Sequence, residues 1–180
     1  MPKHIEKLWG VPAPDEAWLI GKGPSLSLLF TGRLDIPKDA VVFGINHAAL
    51  ICIRGVLAIC THCIYLDRKT YPFALPSRVK PIRPKNFSNH FGGDGYFFEW
   101  TKDIDPKYGA GSASCALAIF GEWGVKKVNM VGFDSFNGVN STSGFVPVPY
   151  PMGVCDYEAI NQRVRLAKAK YGLELEFHFE

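Results

Sequence analysis

Gly21-Lys22-Gly23-Pro24-Ser25 separates a short apolar run from a segment able to start a helix, a position at which a chain can hold a phosphate. The two glycines permit backbone angles and close approach that a Cβ would block, and amides at a helix entrance point toward an anion. The spacing matches neither Gly-x-x-x-x-Gly-Lys-[Ser/Thr] nor the full Gly-x-Gly-x-x-Gly, so neither a P-loop nor a conventional dinucleotide site is supported. An ordinary βα turn is the competing reading of the loop. Asn46 carries a donor and an acceptor that suit a ribose, a base edge or a phosphate, and equally a helix cap. Asp67 can bind a ribose hydroxyl, a metal or an acceptor hydroxyl, or act as a cap. Ser112 and Ser114 open a helix whose start can take a second anion or a sugar carboxylate, with simple capping as the alternative.

Two residues are candidates for the chemistry itself. Asp134 ends a buried strand and can serve as acid or base, or be a hydrogen-bonded structural aspartate. His90 stands in a glycine-rich loop, where catalytic groups are often placed. His47 adjoins Asn46 and is within reach of the same ligand or packs at a helix start, while His62 and His178 read as packing or surface residues. Cys60-Thr61-His62-Cys63 has metal-ligating residue types but lacks the second pair that a tetrahedral site needs, so no metal centre is expected.

The elements that must carry these residues alternate. After a polar lead with Pro12 and Pro14, Ala17–Ile20 reads as the first buried strand, and Ser25–Phe30, with Pro24 fixing φ ahead of it, as a helix of about two turns. Ala40–Ile45 and His62–Asp67 read as further buried strands, each with a polar residue at its carboxyl end. The proline-rich middle offers Arg78–Ile82 and Tyr96–Trp100 as short strands. Ser112–Trp123 is a helix of small and apolar residues closed by Gly124, and Lys127–Asp134 is the next strand. Asp156–Tyr171 has the amphipathic helical pattern, and Leu173–Phe179 alternates as an edge strand does. Strands separated by helices imply a single α/β domain with a mostly parallel sheet and helices on both faces. Ligands in such folds sit beyond the carboxyl ends of the strands, where Gly21–Ser25, Asn46, Asp67 and Asp134 are all expected.

Bulk properties restrict the partners. A length of 180 residues with 47% apolar content suits one domain with a real core. A formal charge of +3, from 20 basic and 17 acidic residues, is too near balance to point to nucleic acid. The first residues have no apolar leader, and no apolar run approaches the length that spans a bilayer. Cys52, Cys60, Cys63, Cys115 and Cys155 form an odd set, mostly among apolar neighbours, which fits a reducing compartment. A cytoplasmic, non-exported protein is expected.

The order of motifs resembles the bacterial sialyltransferases that build lipooligosaccharide, together with the related motility-accessory-factor-like proteins and archaeal hydroxymethylpterin pyrophosphokinases. Gly21-Lys22-Gly23-Pro24-Ser25-Leu26 is similar to their Gly-x-Gly-Pro-Ser-Leu nucleotide loop. Val42–Asn46 resembles their strand ending in a nucleotide-binding asparagine, and Gly111–Asp134 their helix, turn and Gly-x-Asp strand. The resemblance implies a modified Rossmann-type fold and a glycosyltransferase-like protein taking a nucleotide-sugar, a CMP-sugar in the sialyltransferase branch, with a glycan or small molecule as acceptor. It also implies a histidine base before the last helix and tyrosines near the Gly-x-Asp strand. Here those stretches read Tyr150–Asp156 and Asp134–Asn137, with no histidine in the first and no tyrosine in the second. The pyrophosphokinase branch implies ATP and magnesium held by carboxylates such as Asp67 and Asp134. A protein that binds the nucleotide without turnover is the third reading.

Overall fold

The computed structural model describes residues 3–49, 60–64, 79–86, 95–142 and 156–180. Among these residues eight strands form one sheet: β1 (Lys3–His4), β2 (Glu16–Ile20), β3 (Val41–Ile45), β4 (His62–Ile64), β5 (Lys80–Pro84), β6 (Tyr96–Phe98), β7 (Lys127–Val131) and β8 (Glu174–His178), in the spatial order β1-β6-β5-β4-β3-β2-β7-β8. Every pairing is parallel. The helices are α1 (Glu6–Trp9), α2 (Ser27–Phe30), α3 (Pro106–Gly109), α4 (Ser112–Trp123) and α5 (Tyr157–Tyr171), with 3-10 turns at Pro24–Leu26, Asn46–Ala49 and Asp134–Asn137. The α/β class and the Rossmann-like arrangement read from the sequence are those of the structure.

Period-two alternation along the strands divides the core between the two faces of the sheet. Ala17, Leu19, Phe43 and Met130 join α1, α4 and α5 on one side, whereas Trp18, Ile20, Val42 and Val131 pack under Leu26 and Leu29 on the other. Helix α4 is buried nearly all round, and its Ala113, Cys115, Ala116 and Ala118 let the backbone approach the sheet closely. Phe120 from this helix meets Phe43 with ring centroids 4.3 Å apart. Truncating either ring to alanine would cost about 3–5 kcal/mol.

Four sequence expectations need correction. The polar lead contains β1 and α1, which a two-residue strand and a one-turn helix are too short to announce by periodicity. The strand expected at Arg78–Ile82 runs from Lys80 to Pro84, and Pro81 is tolerated because the facing residue is Gly95, where any Cβ would crowd the proline ring. Strand β7 stops at Val131, short of Asp134: Gly132 takes φ +79° and turns the chain out of the sheet, so Asp134 opens a 3-10 turn. Beyond Trp123, helix α4 ends on Gly124 at φ +104°, as the sequence indicates. A further short helix, α3, had no sequence counterpart; Asp105 caps it by accepting from the Lys107 amide at 2.8 Å.

His62 on β4 packs against Phe43, 4.8 Å between centroids, and its Nδ1 lies 2.9 Å from Thr61 Oγ1. Burial, with nearby Lys80 adding to it, lowers its pKa from 6.5 to about 4. The unfolded chain then binds a proton that the folded chain refuses between pH 6.5 and 4, so stability is complete above pH 6.5 and falls as the pH drops. Unfolding free energies in urea are expected to decrease by about 2 kcal/mol from pH 7 to pH 5 through this group. A His62→Gln chain should lack that component; an equal slope in both would remove His62 as its source.

Candidate functional site

The strand order reverses between β2 and β7: the chain leaves β2 toward β3 on one side, and leaves β7 toward β8 on the other. Such a switch point opens a crevice beyond the carboxyl ends. Gly21 follows β2, Asn46 follows β3 and Gly132 follows β7, and all three line a cavity of about 240 Å³. Lys22, Gly23, Ser112, Ser114 and Asp134 line it as well. Most of the residues picked out from the sequence are therefore brought together. Asp67 and His90 lie outside the described residues, as do Cys52, Cys155 and Tyr150. His47 is buried away from the cavity wall, and Cys60, Cys63 and Cys115 are buried as well. Burial pushes the Cys115 thiol well above its usual range, so it stays protonated.

Within the loop, the glycines are required by the protein's own packing. Gly21 N donates to Val131 O and Gly23 N to Gly132 O, both at 2.8 Å. A Cβ on Gly21 would overlap Gly132 O, and one on Gly23 would overlap Asp134 Oδ2. Ser25 and Pro24 do not line the cavity. Ser25 is fully buried; its amide donates to Asp134 Oδ1 at 3.0 Å, its hydroxyl donates to Oδ2 at 2.9 Å, and that same hydroxyl accepts from Gly132 N at 2.9 Å. Asp134 thus caps the 3-10 turn at Pro24–Leu26 and ties the β2 loop to the end of β7.

Amides that have no acceptor lie instead at the start of α4. Its N-cap is Gly111, which has no side chain to accept from the first turn; Ser114 Oγ accepts from Gly111 N at 3.1 Å and donates to Gly111 O at 3.0 Å. The backbone N–H groups of Ser112, Ala113 and Ser114 have no acceptor among the described residues, and all three residues line the cavity. They carry the positive end of a 12-residue helix. Asn46 sits beside them at φ +47°, a left-handed conformation that asparagine tolerates better than most residues, and its Nδ2 donates to Ser112 Oγ at 2.9 Å.

Helix α5 closes the other side with residues that sequence reasoning passed over. Tyr157, Ile160 and Arg163 recur every three residues on one face and all reach the cavity. Asn161 fixes this helix to the β7 loop, donating to Ser135 O at 3.1 Å and accepting from Ser135 Oγ at 2.9 Å. Arg163 has no carboxylate partner among the described residues, and its Nη1 would be 3.9 Å from a Cβ built on Gly111. The wall therefore combines a guanidinium, the Lys22 side chain and a helix N-terminus, with Asp134 the one carboxylate among its described residues. An arrangement of this kind favours an anionic ligand over a cation.

Over 93% of its length the chain matches the structure of the MAf glycosyltransferase from Magnetospirillum magneticum AMB-1, with a TM-score of 0.60 and 11% identity, spanning 34% of that protein. Over 92% it matches the sialyltransferase CstII from Campylobacter jejuni, solved in complex with a substrate analogue, cytidine-5'-monophosphate, with a TM-score of 0.55 and 14% identity, spanning 80% of that chain. The likeness is one of fold. It bears out the architecture that the motif order implied, over more than nine-tenths of the chain. No family model and no curated protein matches the sequence. No helix among the described residues is long and apolar enough to cross a membrane.

Proposed function

We propose that the chain binds a nucleotide-sugar in the β2–β7 crevice and is glycosyltransferase-like. The observation that carries this reading is the convergence of Arg163 with the unpartnered amides of Ser112, Ala113 and Ser114 on one cavity. Gly21–Gly23 and Asn46 form the wall for the nucleoside, and the α4 end with Arg163 meets the ligand's anionic groups. Support for a cytidine donor comes from the shared fold with a sialyltransferase solved with cytidine-5'-monophosphate. The protein is read as cytoplasmic, with a glycan or small molecule as acceptor.

One observation favours the reading of binding without turnover. Among the described residues the cavity wall holds no histidine, and Asp134 already accepts from both Ser25 donors. The magnesium-dependent pyrophosphokinase reading needs carboxylates free to hold a cation between phosphates. Asp134 is engaged, and Asp67 lies outside the described residues.

Thermal melting with CMP, CMP-sialic acid, UDP-sugars, GTP, and ATP with and without magnesium separates these readings. A cytidine ligand at a hundredfold excess over its Kd should stabilise the fold by about 2.7 kcal/mol, some 5–10 °C for a chain of this size. Magnesium-dependent stabilisation by ATP alone would replace this reading with the kinase. Arg163→Ala should weaken the stabilising ligand by about tenfold to a hundredfold, the loss of one charge-assisted hydrogen bond. Its ligand-free melting temperature should be unchanged, because the exposed guanidinium holds nothing in place. Undiminished affinity in this variant would remove Arg163 from the site.

A further inference from the structure

A second group of ionisable side chains lies at the opposite edge of the sheet. His4 ends β1, Glu6 opens α1, and Asp103 comes from the segment after β6. One nitrogen of His4 and one oxygen of each carboxylate all lie within 4.8 Å of one another. His4 Nε2 is 2.9 Å from Asp103 Oδ2, yet it is sealed from solvent and makes no hydrogen bond, so the oxygen lies off the axis along which that nitrogen would donate. Two ligands held about 2.0–2.2 Å from one ion are separated by about 2.9–3.4 Å, each off the other's lone-pair axis. The separation suits a hydrogen bond and a shared ion alike, and it is the misalignment that fits two ligands of one ion better.

Neighbouring contacts orient both buried donors. The imidazole stands edge-on to Phe97, centroids 5.2 Å apart at 81°, and Asp103 Oδ2 accepts from Glu99 N at 2.7 Å. Leaving Nε2 unprotonated puts the ring proton on Nδ1, which lies 3.4 Å from Glu6 Oε2. The Glu6 amide stands at the same 3.4 Å from Nδ1, so neither contact by itself fixes the tautomer. The Asp103 side chain is only 3% exposed while that of Glu6 is 66% exposed, so one carboxylate is rigid and the other can turn inward, with water completing the shell. A neutral imidazole and two carboxylates sum to two negative charges. Charge balance therefore calls for a divalent cation, and the nitrogen donor favours zinc or its first-row neighbours over calcium and magnesium, which take oxygen shells.

We propose that His4, Glu6 and Asp103 bind one first-row divalent cation, which clips β1 and α1 to the segment following β6. Strands β6, β5, β4 and β3 lie between β1 and the β2–β7 crevice, so the site serves the fold and does not depend on the nucleotide reading. The competing account is a bare contact between His4 and Asp103.

Full-length protein stripped with a chelator is titrated with cobalt(II), followed by visible absorption, and with zinc(II), followed by calorimetry and melting. One equivalent should bind and raise the melting temperature. Glu6→Gln should weaken binding by at least about tenfold, and Asp103→Asn should abolish it. Glu6 is exposed and its variant should fold normally, so it decides the matter even if Asp103→Asn is unstable. No binding at millimolar metal overturns the proposal in favour of the bare contact, and so does binding that both variants leave unchanged.

Discussion

A Gly23→Val chain is expected to melt about 6–12 °C below the parent, before any ligand is considered. The added Cβ would overlap Asp134 Oδ2 and lie 2.9 Å from the carbonyl carbon of Gly132. Neither neighbour can withdraw cheaply. Gly132 is backbone fixed by its amide's bond to Ser25 Oγ, and the carboxylate is fixed by two bonds from Ser25. Overpacking that forces backbone to shift costs about 3 kcal/mol, which sets the expected range for a chain of 180 residues. The φ of Gly23 is −73°, so the cost is one of space and not of a forbidden backbone angle. Gly10→Ala provides the control: its Cβ would meet nothing nearer than Glu6 O at 3.4 Å, and a shift within about 0.5 kcal/mol is expected. If Gly23→Val melts with the parent, the loop is not held as described. Loss of nucleotide response in this variant counts as evidence about the site only at a temperature where the variant is folded.

Much of this arrangement was legible because it is local. Ala17–Ile20, Ala40–Ile45 and Lys127–Asp134 are short, largely apolar runs that end at glycine or a polar residue, and each contains a central strand. Strand ends converge at a switch point, so Gly21, Asn46 and Asp134 could be expected in one crevice without knowing any side-chain contact. What could not be read was what the glycines pack against. Close approach of backbone to a phosphate and close approach of backbone to Gly132 and Asp134 leave the same two glycines in the sequence. Their partners are more than a hundred residues away, just past a strand whose adjacency depends on the crossover order. Arg163 was invisible for a related reason. On an amphipathic helix with several exposed cations, only the tertiary fold tells which one faces the end of α4. The cluster of His4, Glu6 and Asp103 brings together chain segments too far apart for any ligand spacing to reveal.

Asp134→Ala should cost about 2–6 kcal/mol, because it leaves two buried donors of Ser25 without an acceptor at about 1–3 kcal/mol each. Asp134→Asn should cost about half as much: Oδ1 still accepts from the Ser25 amide, while the hydroxyl proton loses its oxygen. Ser25→Ala removes the other side of the same contact, so Asp134→Ala and Ser25→Ala combined should destabilise less than their sum by over about 1 kcal/mol. Urea unfolding of the four proteins measures that coupling, and additivity within about 0.5 kcal/mol would show that the two residues do not act together. The size of the coupling also bears on chemistry. A carboxylate that closes the protein's own turn is a positioning group, and its negative charge at the Pro24–Leu26 turn occupies the place where an incoming phosphate would have been received. The anion is then left to the amides at the start of α4 and to Arg163, which places the charged part of the ligand between α4 and α5 and its nucleoside over the glycine turn. Strong coupling together with undiminished ligand affinity in Asp134→Asn supports that division of labour. Weak coupling with lost turnover would return Asp134 to the role of acid or base.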